Sequence, residues 1–86
     1  MKVTVYGTNV CTKTLHDLNV LWDRGFQVDF INVTGSIGLL KDFVVMRDTN
    51  PVFEPIKKAG RFGTPFFVLE DGTQTHDLEV VLKKAE

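Results

Sequence analysis

The order in which strand-like and helix-like stretches follow one another constrains this chain more than any other feature. Lys2 to Tyr6 is alternating and rich in β-branched residues, and Gly7 stops it. From Thr12 to about Arg24 the apolar spacing becomes helical, with Leu15, Leu18, Leu21 and Trp22 on one stripe and Gly25 as the C-terminal stop. Gln27 to Val33 reads as a second strand, with Val28 and Phe30 on one face and Ile31 and Val33 on the other. A strand apolar on both faces belongs in a sheet covered on each side. Strands joined by a helical crossover run parallel, with a right-handed connection expected.

The rest of the chain must complete that sheet. Ser36 is the expected N-cap of a helix running to about Arg47, with Leu40, Phe43, Val44 and Arg47 sharing a face and Gly38 weakening it somewhat. Asn50-Pro51 restarts the chain as cap plus first-turn proline, giving a shorter helix through Phe53 and Ile56 to Ala59, ended by Gly60. Phe66 to Glu70 and Thr73 to Thr75 flank Asp71-Gly72, which predicts a β-hairpin with a two-residue turn. His76 or Asp77 then opens a last helix through Leu78, Val81 and Leu82 to the chain end. The economical assembly is α/β: a four-stranded mixed sheet flanked by helices, in one domain over residues 1–86. Trp22, Phe26, Phe30, Phe43 and Phe53 are its expected core aromatics.

Composition excludes several classes. A net charge of -1 without blocks of like charge gives no reason to expect a nucleic-acid partner. No stretch approaches the length of a bilayer span, and the start of the chain alternates like a strand instead of carrying the apolar run of a signal peptide. A domain of 86 residues with a single cysteine has no disulfide framework, which points to a reducing cytoplasm. One cysteine and two distant histidines make no zinc pattern, so no metal is expected on the protein's own ligands.

That cysteine, Cys11, stands where the first strand hands over to the first helix, followed by Thr12, Lys13 and Thr14. Structural cysteines usually lie within apolar runs. A thiol at a helix start instead meets unpaired N–H groups and the positive end of the helix dipole, which favour thiolate. Thr14, one turn on, offers a hydroxyl to the sulfur, and Lys13 an exposed ammonium that acts weakly in water. With no second cysteine the chain closes no internal disulfide, so redox chemistry must borrow a thiol.

Together these residues resemble the glutaredoxin family. The carriers are the strand ending at Tyr6, Cys11 opening the next helix, and Gly63-Thr64-Pro65-Phe66-Phe67-Val68 before the Asp71-Gly72 hairpin. Leu39-Leu40-Lys41-Asp42-Phe43, Arg47-Asp48 and Glu70-Asp71-Gly72 are most similar to small bacterial glutaredoxin-related proteins. The resemblance covers nearly the whole chain and implies a minimal thioredoxin-like fold. It also implies a cis Pro65, a Thr64 whose backbone pairs with the cysteinyl part of glutathione and, if Asp77 matches the second of the family's two acidic residues, His76 in the place that binds the glutamyl end. Glutathione would then be the co-substrate, and glutathionylated proteins or small mixed disulfides the partners.

The chain departs from that family in ways that bear on chemistry. Thr14 replaces the second cysteine of dithiol members, and Thr12-Lys13-Thr14 stands where cluster-binding monothiol members carry Gly-Phe-Ser. The usual lysine before the cysteine gives way to Thr8-Asn9, and His76 takes the place of an acidic residue. The expected function is therefore a monothiol oxidoreductase. Cys11 and Thr14 would act at the sulfur, and Lys13, Thr64, Pro65, His76 and Asp77 would hold the substrate. Two other readings are a silent binding module using the Thr64-Pro65 groove and an iron–sulfur carrier working as a homodimer. Arg47 pairs with Asp48 or Asp42 or points into the groove, His16 reads as a surface group, and Lys57, Lys58 and Arg61 either form a solvated helix end or offer one cation to a glutathione carboxylate.

Overall fold

The computed structural model describes residues 1–85. Strand β1 (Lys2–Gly7) leads through helix α1 (Thr12–Asp23) to β2 (Gln27–Asn32), and α2 (Ile37–Thr49) follows. A 3-10 turn (Pro51–Phe53) runs into α3 (Glu54–Lys58), and β3 (Phe66–Leu69), β4 (Gln74–Thr75) and α4 (Leu78–Lys84) close the chain. The protein is α/β, with one four-stranded mixed sheet in the order β2-β1-β3-β4. Strand β1 is parallel to β2 and antiparallel to β3, which is antiparallel to β4. Among the described residues no helix is long and apolar enough to cross a membrane.

The two-residue period of the strands divides the core into two layers. Val3 and Val5 of β1, with Phe67 and Leu69 of β3, face Leu18 and Leu21 of α1 and Val81 and Leu82 of α4. Tyr6 and Phe66 turn the other way, towards Phe43 of α2 and Phe53 of the 3-10 turn. Phe66 and Phe67 are adjacent and both fully buried because each serves a different layer.

Four expectations change in detail. The buried positions of α1 are Thr14, Asp17, Leu18 and Leu21, so the helix is turned relative to its apolar stripe. Leu15 is 44% and Trp22 53% exposed, and Trp22 is not a core residue. Contact with β1 explains the turn: a side chain at Gly7 would collide with Thr14, so the first turn of α1 lies directly on the end of the strand. Second, Asn50 caps as expected, accepting from Val52 N–H at 3.1 Å. The helix after it nevertheless splits in two, because Pro55 has no N–H to carry the ladder past Pro51.

Third, the hairpin loop has three residues, not two. The Gly72 N–H donates to Leu69 C=O, the Leu69 N–H donates to Thr73 C=O, and Gly72 takes a φ of +90°. That is a turn completed by a glycine bulge, and a β-branched side chain there would be strained. Fourth, strand β2 ends at Asn32, one residue short of Val33. Asp77 caps α4, accepting from Glu79 N–H at 2.9 Å. The helix stops at Lys84; the expectation that it reaches Glu86 falls outside the described residues.

Candidate functional site

Cys11 is the N-cap of α1, with extended backbone (φ -98°, ψ 115°), and its side chain makes no capping hydrogen bond. The loop before it is fastened. Thr8 and Thr34 hydroxyls meet at 2.6 Å, Asn9 N–H donates to Asn32 Oδ1 at 3.3 Å, and Cys11 N–H donates to Thr8 C=O at 3.0 Å. The backbone that carries Cys11 is therefore held in place at the start of α1.

Partial burial raises the Cys11 pKa, but several donors outweigh it and leave the thiol below its ordinary value. They are the Thr14 hydroxyl and N–H, the Thr64 hydroxyl and the Lys13 N–H. Thr14 is fully buried, and among the described residues its Oγ1 has no other hydrogen-bond partner. A thiolate beside it is the acceptor this buried hydroxyl lacks.

Thr64 comes from a distant part of the sequence. The Thr64–Pro65 bond is cis, and Pro65 is buried immediately before β3. Among the described residues neither the N–H nor the C=O of Thr64 is hydrogen-bonded. Gly63 before it has a φ of +110°, and a Cβ there would stand 2.7 Å from the Phe53 ring. The loop thus lies on the second core layer through a residue that has no side chain to spare room for.

Lys13 behaves differently from its sequence reading. Its ammonium bonds Asp17 Oδ2 at 2.8 Å, and His16 Nδ1 meets Asp17 Oδ1 at 2.9 Å. Only the backbone N–H of Lys13 acts on the thiol. The Asp17 side chain is fully buried beneath these two exposed partners. Sequence reasoning passed over Asp17, although its place four residues after Lys13 and three after Thr14 marks it for both roles.

Two grooves adjoin one another at Lys13 and His76. A small one of about 80 Å³ runs between Lys13, Arg61, Thr64, Pro65 and His76. A larger one of about 610 Å³ adds Asp17, Gln74, Asp77 and Glu79. Cys11 lines neither and connects with the smaller one through Thr64. His76 packs edge-on against Phe53 at 4.6 Å and tilted against Phe66 at 4.9 Å, and among the described residues its buried Nε2 has no partner. Burial lowers the His76 pKa, opposed only by a hydrogen bond with the backbone of Gly63. His76 lines both grooves, and no hydrogen bond joins it to Cys11.

Of the residues singled out in the sequence, Thr14 and Thr64 are the ones whose side chains lower the Cys11 pKa. Pro65, Lys13 and His76 border the adjacent groove, and Asp77 lies along the larger one while capping α4. Comparison with protein families, with characterised proteins and with solved structures finds no match for this chain.

Proposed function

We propose that the chain is a thioredoxin-like, glutaredoxin-type monothiol oxidoreductase acting on mixed disulfides of glutathione or a similar small thiol. The observation that carries this reading is the placement of Cys11 as the N-cap of α1 without a side-chain capping bond, with the buried Thr14 hydroxyl one turn on and a thiol pKa below its ordinary value. The Cys11 thiolate attacks the glutathione sulfur of a mixed disulfide. A new Cys11–glutathione disulfide forms, and the former partner leaves as a thiolate that takes a proton from water. No second thiol stands one turn on, where Thr14 is, so resolution comes from outside. A second glutathione thiolate attacks the Cys11-bound glutathione, releasing oxidised glutathione and the Cys11 thiolate. Such a cycle suits a compartment with a reduced thiol pool, as the cytoplasm has.

The unpaired backbone of Thr64 beside the groove suits the extended backbone of a cysteinyl substrate. Turnover of a small glutathione mixed disulfide, followed as oxidised glutathione, tests the reading. Activity in the wild type is expected. An inactive wild type that still binds extended thiol peptides at the Thr64 groove would convert the reading to a silent binding module.

A further inference from the structure

We propose that Arg47 is the positioning residue of this site: its guanidinium fixes the loop before Pro65 and so holds Thr64 against Cys11. The inference rests on the reading of Cys11 as a reactive thiol. Arg47 projects from the last turn of α2, with its side chain only 22% exposed. Its Nε donates to Phe62 C=O and its Nη2 to Arg61 C=O, both at 2.8 Å, while Nη1 stands 3.6 Å from Asp48. A planar fork that meets two consecutive carbonyls fixes the direction of the backbone as well as its position.

The loop has few other polar holds. Arg61 N–H donates to Ile56 C=O, ending α3, and His76 meets the Gly63 backbone. Thr64 itself makes no backbone hydrogen bond among the described residues. The carbonyls of Arg61 and Phe62 are therefore where the segment between α3 and Thr64 is fastened to the rest of the protein.

What reaches Cys11 makes this fastening matter. Of the groups that favour its thiolate, the Thr14 hydroxyl and N–H and the Lys13 N–H all belong to α1, and Thr14 is fixed there by contact with Gly7. Only the Thr64 hydroxyl arrives from elsewhere, so it is the one contribution that loop position can tune. The cations nearby do not substitute for it. Lys13 is held by Asp17, and Arg61 lines the groove without acting on the thiol.

The experiment measures the pH midpoint of Cys11 alkylation in the full chain, with urea unfolding to confirm a folded protein. Arg47→Gln should raise the midpoint towards the free-cysteine value of about 8.5, and Arg47→Lys, which keeps the charge but not the fork, should raise it less. Thr64→Val should raise it too, and Arg47→Lys or Arg47→Gln should then add nothing further in the Thr64→Val background. A wild-type midpoint in both Arg47 variants overturns the proposal. So does an Arg47 shift that persists in full without the Thr64 hydroxyl, because the guanidinium would then act by another route. If the shifts appear as expected but no mixed disulfide is turned over, the proposed function fails and the positioning role stands.

Discussion

Helices α1 and α4 both lean on the same core layer, yet they begin in opposite ways. At α4 the start is closed. Asp77 accepts from Glu79 N–H at 2.9 Å, and the residue before it, His76, is packed between Phe53 and Phe66. At α1 the cap is Cys11, which makes no side-chain capping bond, and the residue before it, Val10, is 81% exposed. The capping bond at α4 satisfies one of the free donors that every helix start carries. The α1 start leaves its donors beside the sulfur, where a thiolate draws more from them than a thiol. The difference teaches that α1 gives up capping stability where charge on sulfur is stabilised instead.

Cys11→Ser breaks the comparison most completely. It makes α1 begin as α2 does, where Ser36 accepts from Leu39 N–H at 3.1 Å. All turnover of mixed disulfides should vanish, while the serine oxygen supplies the missing cap and adds up to about 1 kcal/mol of stability. A variant that retains turnover, or one less stable than the wild type, contradicts the account of an open helix start. Asp77→Ala makes the reverse change by opening α4. It should cost about 1 kcal/mol in urea unfolding, because α4 carries Val81 and Leu82 into the core. The Cys11 alkylation midpoint should stay put, and a shift there would mean that the two helix starts are coupled.

Most of what was legible in the sequence was local. Ser36, Asn50 and Asp77 cap helices in the structure because capping needs only a side chain within reach of the next turn. The alternating strands were readable for the same reason. The face of α1 was not, since two of its four buried positions, Thr14 and Asp17, are polar, and apolar periodicity points instead at Leu15 and Trp22. Those two polar residues are where the helix approaches Gly7 and holds Lys13. The hairpin loop was misjudged by one residue because Asp71-Gly72 suits either a two-residue turn or a turn ending in a glycine bulge. Arg47 was legible in part: the pairing with Asp48 is present, with Nη1 at 3.6 Å, but its two main-chain carbonyl partners carry no signature in a sequence.

The smallest effect should be a pH dependence confined to the α4 start. Burial against Phe53 and Phe66 lowers the His76 pKa in the folded protein, because the charged ring would lose water without gaining a counter-ion there. In the unfolded chain the same imidazole titrates near its ordinary value of about 6.5. Above that value both states are neutral, and the packed ring contributes its full stability. As the pH falls below it, the unfolded chain binds the proton first, so stability declines until the folded pKa is passed. His76→Phe keeps a ring between the same two phenylalanines and removes the titration. Urea midpoints from about pH 7.5 down to about pH 5.5, bracketing the ordinary histidine value, should fall more steeply in the wild type than in His76→Phe. Parallel profiles would mean that the imidazole stays solvated when charged, and the closed start of α4 would then rest on the Asp77 cap alone.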